Sequence, residues 1–496
     1  SDMEQSFNYN PGLIHSLDSV LHLASSNPPL AGQHLPWTNR FDQMRDYRER
    51  FLDAVLMPDG GRPATGCDNT WNYSREDAVL AYANRQTEYN ATEPVTLGAM
   101  IRDHLLGQGQ SAEPNFTSVF FPFGGWLVMR DGWTPNSLYA FMKTSRPAPG
   151  HMREGGNGVA MSAYGRYLIV NSGADAYSDR GVFSRYVDST VSQSSISVDG
   201  FSQVLNASEK TQSYNKPIRA RAYTSANFDF GEGIYDSPYG GWNFQTGESV
   251  DATIDDVRHV RQLMFIREVG AWIITDRLTS VSDHTFTTSW CLSPEFSNTE
   301  VVVHRETASC KTCSQSSANI ELRFFASPGM DISKHVGESD ETTALGWRAI
   351  NWDETKQRYT PAVDLLTELR DSGDVIIVTL VVPTPSESSR VTECNPANTD
   401  KAVGFDAQLA DGTALNYLAS TGGMLSANNV EVDGQSLLII SKPEERTRGL
   451  VLRADGATGS EFEIGSSGEM QPIAEIGIPK GFAWSNATGS IAPVYG

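Results

Sequence analysis

The chain has 496 residues, with 38 Lys and Arg against 60 Asp and Glu, a formal net charge of −22 at pH 7, 39% hydrophobic and 10% aromatic residues, 43 Gly and 24 Pro. That length exceeds one hydrophobic core and suggests about two or three domains, loop-rich and dominated by β-structure. The acidic balance argues against nucleic acid, whose binding rests on neutralising phosphates with Lys and Arg, and no run of about 18 apolar residues is present to cross a membrane.

From Gly12 to about Leu106 the pattern is helical. LIHSLDSVLHLA (13–24) and RFDQMRDYRERFLDAVLM (40–57) place apolar residues at spacings of three and four. Between them SSNPPLAGQHLPW is a loop by its Pro and Gly content, and Pro58 ends the second helix. DAVLAYANR and LGAMIRDHLLG supply two further helices. After about Ser111 the period becomes two: short runs of Val, Ile, Phe, Tyr, Trp and Thr alternate with Gly, Asp, Asn and Ser turns, as in antiparallel sheets. FGGWLVMRDGW (123–133), GHMREGGNGVAMSAYGRYLIVNSGADAYS (150–178) and YVDSTVSQSSISVDGFSQ (186–203) read as one continuous β-rich face. HVRQLMFIREVGAWIITDRL (259–278) reads as paired strands, and SDHTFTTSWCLSP (282–294) as the strand after them. From about Lys401, VEVDGQSLLIIS and GLVLRADGA are short strands of a smaller terminal β-unit.

These segments, in this order, resemble polysaccharide lyases of the heparinase II/III type. MEQSFNYNPGLIHSLDSVLHLA resembles that family's toroid helix bearing E-x-S-x-x-Y, and PDGGRPATGCDN its P-D-G-x-x-P-x-x-G-D turn with Cys67 interposed. The G-W-L-V-M-R-D-G-W strand and the His151 turn resemble the start of its β-sandwich, with A-Y-G-R (163–166) and V-D-G (198–200) fixing the register. The resemblance covers most of residues 3 to 300 and rests on β-rich pattern alone beyond them. It implies an α+β multidomain chain: a partial (α/α) toroid over 1–110, a large antiparallel β-sandwich over 111–395 and a small C-terminal β-domain over 396–496. Helices that complete the toroid in the family, and that bring an Asn or Asn-His pair to the cleft, have no counterpart here. A further N-terminal helical segment, covalent or as a separate chain, is therefore expected.

In the family the turn reads H-x-H-x-D, the next strand ends in V-D-x-G, and a later strand carries H-N-T before V-D-G. Here those positions are His151, Arg153 and Gly155, then Asn171, then Gln193. The first His lies at the substrate; the second His, the Asp and the later His hold a structural zinc. Zinc takes about four N, S or O ligands, and neither a guanidinium nor an amide substitutes for imidazole or carboxylate. No metal and no cofactor are expected, and Arg153 is expected to hold the turn by hydrogen bonds to Asn171 or a backbone carbonyl.

The resemblance also implies a reaction. A uronic acid has an acidic C5 hydrogen beside its carboxylate and a leaving oxygen at C4, so β-elimination needs a group that masks the carboxylate, a base and an acid. Tyr9, of E-x-S-x-x-Y, would protonate the leaving oxygen, and His151 would be base or carboxylate partner. A packing aromatic and a hydrogen-bonded turn residue are the alternative readings of these two. Substrate contacts would fall to Arg153, Asn8, Asn157, Asp68 and Glu154, although Arg153 equally suits an ion pair with Glu154 or another acid, and Asp68 equally suits a cap. Glu4 and Asn10 belong to the same motif helix. His15, His22, His259 and His284 read as packing or structural hydrogen-bonding residues.

Two rival functions remain. A glycoside hydrolase on the same scaffold would need a carboxylate pair about 5 to 10 Å apart, with Glu4, Asp68 and Glu154 as the acids nearest the motifs. A noncatalytic glycan-binding protein or a uronate C5-epimerase is the other. The expected partner is an acidic polysaccharide or oligosaccharide substrate, and that substrate class implies a secreted or periplasmic protein. Asn-X-Ser/Thr sequons at Asn72, Asn90, Asn115, Asn206 and Asn486 are permissive of secretion. Of the five cysteines, Cys310 and Cys313 form C-K-T-C, a weak metal or redox signal better read as a small disulfide in a loop.

Overall fold

The computed structural model describes residues 52–61, 63, 97–105, 107, 111–121, 125–144, 153–173, 181–204, 221–315, 317–350, 357–453, 458–464, 470–477, 481–485 and 490–494. The helices expected over 13–24 and in DAVLAYANR lie outside them. Leu52–Val55 is a single 3-10 turn near the expected end of the second helix, and LGAMIRDHLLG forms α1 (Leu97–Leu105) as expected. Beyond α1 the described residues are almost wholly antiparallel β.

The first sheet is a five-stranded meander of β1 (Val119–Phe121), β2 (Trp126–Arg130), β3 (Tyr139–Lys143), β4 (Gly158–Ala163) and β5 (Arg166–Ile169). A-Y-G-R turns β4 into β5, with Tyr164 and Gly165 at φ +53° and +78°. Two left-handed residues in a two-residue loop match the right-handed twist of the flanking strands. V-D-G does the same between β6 (Ile196–Val198) and β7 (Phe201–Gln203), with Asp199 and Gly200 at φ +51° and +79°.

The large sheet runs on from these through β8 (Arg221–Thr224), β9 (Phe228–Tyr235), β10 (Tyr239–Asn243), β11 (Ser249–Ile254), β12 (Arg258–Ile266) and β13 (Ala271–Cys291). β13 pairs with β12 on one side and with the strand Val363–Thr384 on the other. The expectation of a separate strand for SDHTFTTSWC is corrected here. It is the second half of β13, which carries through Ser280–His284 by a shift of register against its neighbour. A bulge of this kind absorbs unpaired residues without ending the strand.

The core is layered. Alternate residues of one strand face opposite sides of a sheet, so Leu263 and Phe265 of β12 meet Leu127, Met129, Met142 and Met161 of the first sheet. Met264 and Ile266 point the other way, toward Phe405, Tyr417, Leu438 and Ile440. Those belong to a seven-stranded sheet of residues 391–477. The outer face of the first sheet, with Val128, Tyr139 and Phe141, covers Ala54–Met57, Ile101 and Leu105 of the helical region.

A short helix, α2 (Val182–Asp188), interrupts the stretch expected to be continuous β. The expected Cys310–Cys313 disulfide is also corrected: both thiols are free. Cys310 lies in the strand Ser309–Thr312 with its side chain in the core. At about 3.3 Å of rise per residue, residues three apart along a strand stand some 10 Å apart on opposite faces, beyond disulfide reach.

Candidate functional site

Tyr9, Asn8, Asp68 and His151 lie outside the described residues, as do Glu4, Asn10, His15 and His22. The structure describes the turn from Arg153 onward, and its bonds show how the segment after His151 is held.

The turn is fixed at its exit by the sheet. Gly158 pairs with Lys143 across β3–β4, and the Asn157 amide donates to the Lys143 carbonyl at 2.7 Å. Asn157 has φ +61° and is buried, its side chain lying over Gly233 of β9, where an added Cβ would clash with its Oδ1. A Cβ on Gly158 would come within 2.5 Å of the Gln193 carbonyl, so the turn and the 193 segment are in close backbone contact. Gly156 joins them further: its carbonyl accepts from Ser195 Oγ at 2.6 Å and Gln203 Nε2 at 3.1 Å.

The other side of the turn rests on the end of α2. Arg153, 4% exposed, forms an ion pair with Asp188. The Glu154 amide donates to the Asp188 carbonyl at 3.0 Å, and Thr190 Oγ1 donates to the Glu154 carbonyl at 2.5 Å. Asp188 is thus the acid of the ion pair in the alternative reading of Arg153, and it sits on a helix that the β-pattern conceals. Asn171 Oδ1 accepts from the Gly173 amide at 3.4 Å. Gln193 Nε2 donates to the Val187 carbonyl at 3.0 Å and to the hydroxyls of Ser172 and Ser192 at 3.2 and 3.0 Å. Arg153 and Gln193 therefore both anchor on the last two residues of α2.

These residues do not fit a zinc. Arg153 is a cation matched by Asp188, and the Gln193 amide nitrogen is a donor already bonded. Among the described residues no three His, Cys, Asp or Glu side chains are grouped to hold a metal ion. Arg153 and Asn157 are buried; Arg153 pairs with Asp188 of α2, and the backbone carbonyl of Asn157 accepts from Arg261. Glu154 is half-buried. Desolvation pushes its carboxyl up to about 8, against the opposing effects of a hydrogen bond from Ser202 and the Arg153 charge, so near neutral pH it can donate a proton or a hydrogen bond.

Beneath the turn sits a buried group joining the Arg-bearing strand to the Asp of W-I-I-T-D. Arg261 of β12 and Asp276 of β13 face each other in the hairpin register and are both fully buried. Arg261 Nε donates to Asp276 Oδ1 at 2.7 Å and Nη2 to Oδ2 at 3.0 Å. Its Nη1 donates to the carbonyls of Asn157 at 2.9 Å and Ser194 at 2.6 Å. His259 Nε2 lies 2.7 Å from Asp276 Oδ1. Burial lowers the imidazole's pKa against the pull of Asp276, while Asp276, despite burial, is held down to about 2 by Arg261 and His259. Farther along β13, His284 lies 2.7 Å from Asp199 of V-D-G and 3.0 Å from Asp256. Both histidines thus make structural hydrogen bonds.

Comparison with known proteins bears on this geometry. Residues 113–392 match the family model described as heparinase II/III-like, C-terminal, which begins near the expected sandwich and carries past residue 300. A search of curated proteins returns no match. Among solved structures, a heparinase III gene product is similar at TM-score 0.60 and 13% identity, over 85% of this chain and 58% of its own. Heparan sulfate lyase HepC from Pedobacter heparinus is similar at TM-score 0.59 and 15% identity, over 84% of this chain and 58% of its own. A heparinase III structure is similar at TM-score 0.60 and 13% identity, over 84% of this chain and 60% of its own. At these identities the likeness is one of fold, and the chain spans about three fifths of the length of those structures. With the family model matched over more than half of its residues, the chain belongs to the heparinase II/III-like family through that family's C-terminal domain.

Proposed function

We propose that the chain acts as a polysaccharide lyase, cleaving a uronic-acid-containing glycan by β-elimination. The observation that carries this reading is the family match over residues 113–392, which includes the His151 turn and the sheet beneath it. In the reaction His151 takes the C5 proton, the C4–O bond breaks to leave a C4=C5 double bond, and Tyr9 protonates the departing oxygen. Donors aimed at the substrate carboxylate stabilise the enolate-like charge. Glu154, as a neutral acid at the turn, is suited to such a donor role. Arg153 serves the turn through Asp188.

The reading extends to residues 1–110 as part of an (α/α) toroid and to action outside the cytoplasm on an acidic glycan. Tyr9→Phe tests the chemistry. It should lower turnover by about 10²- to 10⁴-fold, as loss of a general acid does, with folding unchanged. Near-normal turnover would return Tyr9 to a packing role and leave the elimination without its acid.

A further inference from the structure

We propose that Arg261, clamped by Asp276, is the positioning residue of the His151 turn. Its single buried guanidinium ties two backbone segments together in place of a metal or covalent cross-link.

Three observations carry this. First, the guanidinium is oriented before it meets the turn. Asp276 takes Nε and Nη2 in a two-point contact, at 2.7 and 3.0 Å, and is itself held by His259. A planar fork gripped on one edge by a carboxylate presents its remaining nitrogen in one direction. Second, that nitrogen, Nη1, bonds two carbonyls from separate segments, Asn157 at the end of the turn and Ser194 next to Gln193. The Asn157 carbonyl is available because its backbone is left-handed, at φ +61°, just before β4 begins. Third, stability alone is a weak account of the pair. A buried ion pair replaced by well-packed apolar residues is often neutral or stabilising, whereas an apolar side chain in this place would leave the two carbonyls unmatched and the three donors of a Lys could not make all four of these contacts.

The Ser195–Gly156 and Gln203–Gly156 bonds add to the same seam and stitch the turn to residues 193–203. Arg153 and Gln193, at the two edges of the seam, bond outward to α2. The turn's geometry should therefore be indifferent to chelators.

The test compares Arg261→Lys with Arg267→Lys. Arg267 also forms an Arg–Asp pair, its Nη2 alone donating to both oxygens of Asp229 at 2.8 Å each and to Thr117 and Ser118, away from the turn. Amide hydrogen exchange over 153–158 and 193–195 is measured on both variants and the parent, with kcat and KM for a uronate glycan. Arg261→Lys should speed exchange in those two segments by at least about tenfold. It should lower kcat about 10²-fold with KM within a few-fold, since a shift near 1 Å in a catalytic group costs about that much. Arg267→Lys should do neither, and EDTA should change neither quantity in the parent.

Unchanged exchange in the two segments of Arg261→Lys, or an equal fall of kcat in Arg267→Lys, would overturn the proposal. If Arg261→Lys does not fold, Asp276→Asn, which loosens the clamp while keeping its shape, should give the same pattern at smaller amplitude, and unchanged exchange there would overturn it too. The kinetic arm rests on the elimination reading and the exchange arm does not. A parent protein inactive on uronate glycans would therefore count against that reading while exchange still decides the role of Arg261.

Discussion

Arg153 and Asp188 form an ion pair that binds the turn following His151 to the last residue of α2. Arg153 is buried and Asp188 is about half exposed, at 5% and 45% of their side-chain surfaces. Removing the carboxylate charge leaves a buried cation partly unmatched, while solvent reaching Asp188 limits the loss. Asp188→Asn should therefore cost about 1 to 2 kcal/mol in urea unfolding. An unchanged midpoint would mean that the pair does not hold the turn.

Glu154 sets a pH dependence. Its folded pKa, raised to about 8 by desolvation, exceeds the ordinary value of 4.5 that it regains on unfolding. Between those values the native state binds the extra proton. This contribution is fully present below about pH 4.5, declines as pH rises and is lost above about pH 8. Glu154→Gln removes the titration, so its stability relative to the parent should improve from pH 5 to pH 8 in matched thermal melts. Parallel pH profiles would show that Glu154 is ionised and solvated in the fold.

His284 tilts stability in the same direction. Desolvation opposes its charge, but hydrogen bonds to Asp199 and Asp256 outweigh that and raise its pKa above 6.5. The stabilisation is present below the unfolded value and disappears as pH rises through the raised one. His284→Gln should flatten this part of the profile as pH rises past the ordinary imidazole value of 6.5, without the loss of fold that would follow if the imidazole merely filled space.

Much of this architecture is legible in the sequence because it is written locally. A-Y-G-R and V-D-G each place two residues in left-handed conformations between strands, and LGAMIRDHLLG has a helical period. The features that escape a sequence reading depend on distant partners. α2 has only seven residues, too few for a period to stand out among Ser, Asp and Arg. Ser280–His284 looks like a break between strands because its polar residues resemble a turn, yet both flanks stay paired to Val363–Thr384.

The site shows the same division. Arg153 and Glu154 stand out beside the His151 motif, whereas Arg261 stands out only as the Arg of a strand that turns into W-I-I-T-D. A signal for it exists: an Arg between Val260 and Leu263 and an Asp in W-I-I-T-D, five residues to either side of a short turn, face each other once the hairpin is aligned. Only the tertiary contacts to Asn157 and Ser194 reveal its purpose.

Beside the apolar contacts and the Tyr167–Asp59 hydrogen bond, two side chains of the first sheet tie down residues 54–56. Arg130 Nη2 donates to the carbonyls of Ala54 and Leu56 at 3.0 and 2.6 Å, with the guanidinium 4.0 Å from the Trp133 ring centre. Tyr139 OH donates to the Val55 carbonyl at 2.7 Å. Tyr139→Phe should cost about 1 kcal/mol. Arg130→Met, which strips two buried carbonyls of their donor, should cost about 2 to 4 kcal/mol and open residues 52–61 to limited proteolysis. Protection of that segment equal to the parent's would place the docking energy in those other contacts.

The central claim is β-elimination, and its direct measurement is the ultraviolet absorbance of the new C4=C5 bond. The chain is incubated with a panel of uronate-containing glycans, and products are analysed for unsaturated ends. The expected result is a rise in absorbance with at least one glycan, abolished in His151→Ala and strongly reduced in Tyr9→Phe, and unaffected by EDTA. Cleavage that yields saturated reducing ends, or inversion of uronate without cleavage, would contradict the account and favour hydrolysis or epimerisation on this fold.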